Sequence, residues 1–289
     1  MPKKINPEEN PEENPEENPV KQTQEQGQTD KAEPKTKKLA LLLRESTKDI
    51  HKELEEEPFL QRYKTDGLTM EDHFLHLVEL HAIYVQLTAK MVYFRLKKTT
   101  ETDIFYIQTL LSKATKIETD LNKIKKLLPK DSKLKHHNLE PSSSTSKYVD
   151  HLRSLKTPEE LLAHCCVRWF GDSFGGKKLK ARIITLSESM GLDQKSAPVN
   201  FYEKSLAPKE LMEKLNTIGE FDSFDNAKEK TFLKESVKAF ELHQPIFKEL
   251  EDKRGEYLNP KKYNNSLIFG GVALTAAAIG VGYYLLKEK

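Results

Sequence analysis

Cysteine is almost absent from this 289-residue chain, which carries only Cys165 and Cys166. Two adjacent cysteines cannot form an ordinary stapling disulfide, so stability must come from a packed core, and the chain suits a reducing compartment. No apolar run opens the sequence, so a secretory signal is not expected. A dense Arg/Lys stripe with interleaved aromatics is also missing, which argues against nucleic acid as a partner. Nowhere do Val, Ile and Thr alternate in strand fashion.

What is there falls into unequal parts. Residues 1–36 repeat Asn-Pro-Glu-Glu three times and hold almost nothing apolar, so they read as a disordered tail. They carry 9 acidic and 5 basic residues, net −4, against 42 basic and 36 acidic in the remainder, net +6. Residues 37–255 have apolar side chains recurring at three and four, the pattern of one all-α domain. Helices are expected over 39–59, ending at Pro58; over 69–98, capped by Thr69; over 102–128; around 145–155; and over 226–254. The polar stretch 129–146 reads as a surface loop. After a linker at 256–265 comes "SLIFGGVALTAAAIGVGYYLL", residues 266–286, which is uncharged and about 30 Å long as a helix. Lysines flank it, and Tyr283 and Tyr284 suit an interface, so a C-terminal transmembrane anchor is expected, with the folded domain facing the cytosol.

One stretch sets a problem. "TPEELLAHCCVRWFGDSFGGKKLKARI" opens with a strong helix start: Thr157 as cap, Pro158 at the first position, then two acids. It then places Gly171, Gly175 and Gly176 in mid-helix, each costing roughly 1 kcal/mol relative to Ala. The period stays helical on both sides, so a continuous but bent helix is expected. Gly171 and Gly175 lie on one face and make a shallow platform. Either a neighbouring helix packs closely there, or a flat ligand lies against the backbone. On the first helix, Arg44, Thr47, His51 and Glu55 line a stripe beside the apolar face. His51 is there either an iron ligand or a hydrogen-bonded packing residue.

Three segments resemble the haem oxygenase family. "LLRESTKDIHKELEEEPF" is similar to the family's first helix, with its proximal histidine at His51. "LHAIYVQLTAKM" is similar to the next, including the aromatic at Tyr84. "KYVDHLRSLKTPEELLAHCCVRWFGDSFGG" resembles the stretch ending in the family's Gly-Asp-x-x-Gly-Gly signature. The resemblance implies an all-α fold that sandwiches haem and an oxidoreductase that cleaves it with O2 to biliverdin, CO and ferrous iron. Electrons would come from an external donor, a flavoprotein reductase or a ferredoxin. It implies His51 as the metal ligand, with Gly171 and Gly175 crowding O2 toward the macrocycle edge. Asp172 would order water that supplies protons, with Arg168 in the same polar network. Arg44, Thr47, Tyr84, Gly176 and Lys209 would contact the haem.

The sequence also departs from that pattern. Ser173 and Phe174 stand where the family has an aliphatic residue and a serine, so Phe174 is expected to reshape the pocket. Cys166 stands where an aromatic hydroxyl commonly holds a propionate, and a thiolate there is an alternative iron ligand. Two other functions fit the same features: a non-catalytic haem-binding or sensing protein, and a non-haem di-iron oxidase. The di-iron reading draws on Glu79, His81, Glu241 and His243. His73 and His76 are expected to be packed or solvated rather than metal-bound.

Overall fold

The computed structural model describes residues 38–96, 103–136, 140–203, 207–219 and 224–258. These belong to the second of two units, Lys37–Lys289, the first being Met1–Thr36. Among the described residues the regular elements are all helical. They are α1 (Leu39–Glu55), α2 (Pro58–Gln61), α3 (Met70–Leu96), α4 (Asp103–Leu127), α5 (Ser143–Ser154), α6 (Pro158–Phe170), α7 (Gly176–Ser189), α8 (Pro208–Gly219) and α9 (Asn226–Leu258). Short 3-10 turns cover Arg62–Lys64, Lys133–His136 and Asn200–Tyr202, and a π-helical turn, Gly171–Gly175, joins α6 to α7.

The elements follow from local chemistry. Helix α1 buries Leu39, Leu43 and Thr47, spaced four apart, on one face. It stops three residues before Pro58, which opens α2 at its first position. Thr69 and Asp72 cap α3 reciprocally: the Thr69 N–H donates to Asp72 Oδ2 at 2.9 Å, and the Asp72 N–H to Thr69 Oγ1 at 3.1 Å. Helix α6 has a full capping box between Thr157 and Glu160. The loop expected over 129–146 is shorter than read. Ser142 caps α5, so that helix starts at Ser143, and Leu134 is buried inside the 3-10 turn before it.

Helix α3 is the central rod, with almost every residue of its first half buried. It packs along α4 and α5 and touches α6, α7 and α9. Helix α9 is the second rod: α1, α2, α5 and α6 all lie against it. Helices α1 and α6 are each held by α9 and scarcely touch one another. Leu43 of α1, Val167 of α6 and Phe240 of α9 share one buried apolar cluster, with Ile50, Leu54 and Phe170 at its margin; the solvent-exposed space bordered by His51 on one element and by Gly171 and Gly175 on the other is called the gap.

Among the described residues no helix is long and apolar enough to cross a membrane. The anchor expected over 266–286 and the tail over 1–36 both lie outside the described residues.

Candidate functional site

The two sides of the gap are built differently. On the α6 side the helix does continue through its glycines, by way of a π turn. One extra residue enters the helical cycle there, a feature that often marks a functional site. Gly171, Phe174 and Gly175 become exposed while Asp172 and Ser173 turn inward. A Cβ added to Gly171 or Gly175 meets nothing within 4 Å, so the platform is open. Phe174 does not fill it: the ring is 55% exposed and stacks on Phe170, centroids 6.0 Å apart. The third glycine has another reason. A Cβ on Gly176 would stand 3.0 Å from Tyr202 Cδ1, so this residue admits the Tyr202 ring and faces the core rather than the gap.

Behind the platform lies a buried polar cluster. Asp172 Oδ1 accepts from Arg168 Nη2 at 3.0 Å, one turn back on α6. Its Oδ2 accepts from the Tyr84 hydroxyl of α3, and Lys113 Nζ of α4 stands 4.0 Å from the same oxygen. Arg168 Nη1 is 3.0 Å from His243 Nε2 on α9. Burial, reinforced by the Asp172 charge, holds the Tyr84 hydroxyl well above its ordinary range, so it keeps its proton and donates. Burial opposes the charge of Arg168, but Asp172 and Tyr84 outweigh it and the guanidinium stays ionised. Burial pulls Lys113 down, against the attraction of Asp172. The His243 imidazole is also pushed well down, by burial and then by Arg168, and so stays neutral. Arg168 Nε and His243 Nδ1 are buried without a hydrogen-bond partner, places that an ordered water would satisfy.

The α1 side is open. The His51 side chain is 51% exposed, its ring edge-on to Phe240 at 5.7 Å. Its Nδ1 lies 4.0 Å from Glu55 Oε1, one turn along the same helix, which leaves Nε2 as the outward nitrogen. Arg44 is exposed on the same helix. Thr47 is buried, and its hydroxyl donates to the Leu43 carbonyl at 2.8 Å.

A family model described as "Heme oxygenase" matches residues 37–249. The chain belongs to the haem oxygenase family. Its sequence is 25% identical to heme oxygenase 1 of Gallus gallus over 232 residues, 78% of this chain and 73% of the relative. A solved haem oxygenase of Leptospira interrogans superposes with a TM-score of 0.61, 24% identity, covering 74% of this chain and all of that one. A Synechocystis haem oxygenase-1 solved with haem bound gives a TM-score of 0.60 at 20% identity, covering 86% and 99%. At these identities the two structures establish a shared fold.

Several residues named from sequence stand elsewhere than expected. Tyr84 is fully buried and holds Asp172 from behind, so it has no surface on the gap. Gly176 is a packing residue, as above. Lys209 is 86% exposed and pairs with Glu213 of its own helix α8 at 3.8 Å. Cys166 sits in the apolar cluster, where burial pushes its thiol far up, so a thiolate ligand is disfavoured. The di-iron set is not assembled. Glu79 takes the Ser142 N–H at 2.8 Å, exposed Glu241 pairs with Lys238 at 3.0 Å, and His243 serves Arg168. His73 and His76 are packed side chains, both hydrogen-bonded to Tyr63.

Lys113 escaped notice in the sequence, although a signal was present. In α4 the core positions run 113, 117, 120/121, 124, and two of them are charged, Lys113 and Asp120. Asp120 accepts from the backbone N–H groups of Asn200 and Phe201 at 3.0 and 2.8 Å. Lys113 donates to the Phe201 carbonyl at 2.7 Å. Together they pin the Asn200–Tyr202 turn, whose Phe201 ring meets Tyr84 at 5.6 Å.

Proposed function

We propose that this chain cleaves haem, with the porphyrin lying in the gap between α1 and the π turn. The observation that carries the reading is the open glycine platform backed by a buried, ionised cluster, in a chain whose α1 also carries a part-exposed imidazole, His51. The residues fit a haem. Its flat apolar body matches the Val167, Phe170 and Phe240 surface, and His51 Nε2 is the nitrogen that would hold the iron, with Glu55 orienting the ring. Arg44, exposed on the same helix, is placed for a propionate. When bound, the haem iron supplies O2 activation, and the macrocycle is also the substrate.

The chain's own part is positioning and proton supply. Gly171 and Gly175 present backbone with no side chain, and would let that backbone lie close against a bound haem. Asp172 is anchored through both oxygens, by Arg168 on one and Tyr84 on the other, so its carboxylate cannot swing. Water ordered on Asp172, and at the open Nε of Arg168, would relay protons to the distal face. His243 and Lys113 hold this cluster from the core side. Electrons would come from a flavoprotein reductase or a ferredoxin. Residues 266–286 would anchor the domain to a membrane on its cytosolic side, which a fractionation of the full chain against one truncated before residue 266 would test.

The activity is tested by loading the purified chain with haem and adding reductant and O2. Formation of biliverdin and CO by the native chain, abolished in His51→Ala, is the expected result. A stable ferric spectrum with no product would make this a haem-binding protein without turnover. Unchanged turnover in His51→Ala would remove the assignment of the iron ligand.

A further inference from the structure

His164 stands one turn before Arg168 on α6 and continues the same helical stripe, yet the proposed haem chemistry does not use it. It is fully buried. Its Nε2 lies 2.9 Å from Glu235 Oε1, on α9. The same carboxylate oxygen is met by His151 Nε2, from α5. The three ligand atoms all lie within 4.8 Å of one another, and among the described residues this is the one such group of three. Three separate helices therefore bring two imidazole nitrogens onto one carboxylate oxygen.

We propose that His151, His164 and Glu235 bind a single divalent transition-metal ion of the zinc class. The donor set decides the class: two imidazoles and one carboxylate suit zinc and its neighbours, and neither an all-oxygen calcium site nor a thiolate site resembles it. Three protein ligands leave a further position for water. Donors around a tetrahedral zinc stand about 3.3 Å apart, so the spacing here needs only small side-chain adjustment. Access is available, because the His151 side chain is 26% exposed.

An outer support is already in place. His164 Nδ1 is 2.9 Å from the Tyr148 hydroxyl. In the metal-bound state this nitrogen carries the proton and donates to Tyr148, which fixes Nε2 as the ligand. In the metal-free state Nε2 carries the proton toward Glu235, and Nδ1 accepts from Tyr148. The two states differ in the His164 tautomer. The site also adjoins the Asp172 cluster: the Tyr148 ring meets His243 edge-on at 5.6 Å, and His243 bonds Arg168. The assignment does not depend on haem cleavage, and its test uses no haem.

The test takes the full chain, stripped with a chelator, and titrates it with Co2+ followed by visible absorption and with Zn2+ followed by calorimetry. One equivalent is expected to saturate, with the d–d bands of a four- or five-coordinate site, displaced by Zn2+. His151→Ala, at a part-exposed position, and Glu235→Gln, which keeps the side-chain volume, should each weaken binding more than about 100-fold, since even loss of an outer-shell partner costs 10–100-fold. A His136→Ala change in the Lys133–His136 turn, outside the ligand group, should leave it unaltered. Nitrogen NMR should show the His164 tautomer switching on Zn2+ addition, a readout that does not depend on how the variants fold. Absence of one-equivalent binding, binding undiminished in both ligand variants, or a His164 signal unmoved at saturating Zn2+ would overturn the proposal.

Discussion

The two walls of the gap make an instructive contrast. The α6 wall is closely knit: Asp172, Arg168, Tyr84, Lys113 and His243 are buried and bonded to one another, and every charge has its partner, with Arg168 Nε and His243 Nδ1 left for water. On the α1 wall, His51 is half in solvent, with one carboxylate near it. A buried ionic cluster must be complete to be tolerated at all, because each unpaired member would carry its full desolvation cost. A surface imidazole carries no such demand. The wall assigned to proton delivery is therefore tied to the stability of the fold, and the wall assigned to gripping the iron is nearly independent of it.

The sharpest way to break this contrast is to remove one anchor from each wall. Asp172→Ala leaves Arg168 and Lys113 buried without their carboxylate and should cost about 3–5 kcal/mol of stability. His51→Ala should abolish turnover while changing stability by less than about 0.5 kcal/mol. Denaturant unfolding of both, beside the product assay, measures the pair. Equal stability losses would mean that the walls are not built differently.

Acid comes next. Burial lowers His73 to about 4, against a hydrogen bond to the Pro198 carbonyl, and burial also lowers His76, His164 and His243. For a group whose folded pKa is depressed, the unfolded state takes up the proton first as pH falls. The contribution is complete above about 6.5 and drains away down to about 4, on the order of 3 kcal/mol for His73 alone. Unfolding midpoints measured from pH 7.5 to 4 should fall steadily below 6.5, and a flat profile would contradict the burial of these imidazoles.

The glycines sharpen the contrast further. Gly176→Ala pushes a methyl against Tyr202 and should cost about 1–3 kcal/mol. Gly171→Ala meets nothing and should hold or gain up to about 1 kcal/mol through helix propensity, yet lower turnover by occupying the platform. The smallest effect belongs to Phe174→Ala. An exposed ring stacked on Phe170 should change stability by less than about 0.5 kcal/mol, read from the same unfolding curves.

Much of this was legible in the sequence because it rested on local rules. The Thr157 capping box, the Pro58 break and the helical period across Gly171 each depend on a few neighbouring residues. The placing of Arg168 in one polar network with Asp172 came from the family resemblance, and the structure shows the two bonded one turn apart. Contacts between distant helices were harder to read. Tyr84 was recognised as a site residue but placed on the ligand, since nothing in its own helix shows that Asp172 lies behind the platform. Gly176 was grouped with its two neighbours, whereas its role is set by Tyr202, in a turn 26 residues on. Lys113 and Asp120 were visible as charges on an apolar face, and the turn they hold became evident only with the fold assembled. The two walls again differ here: the α1 stripe left His51 open as ligand or packing residue and only the family resemblance chose between them, whereas the buried cluster needs four helices at once.

The central claim is that haem iron binds the imidazole of His51 against an open glycine face. Resonance Raman spectroscopy of the ferrous, haem-loaded chain tests it directly. The account predicts an iron–histidine stretch in the native chain that vanishes in His51→Ala and returns when free imidazole is added. The same band persisting in His51→Ala would contradict it.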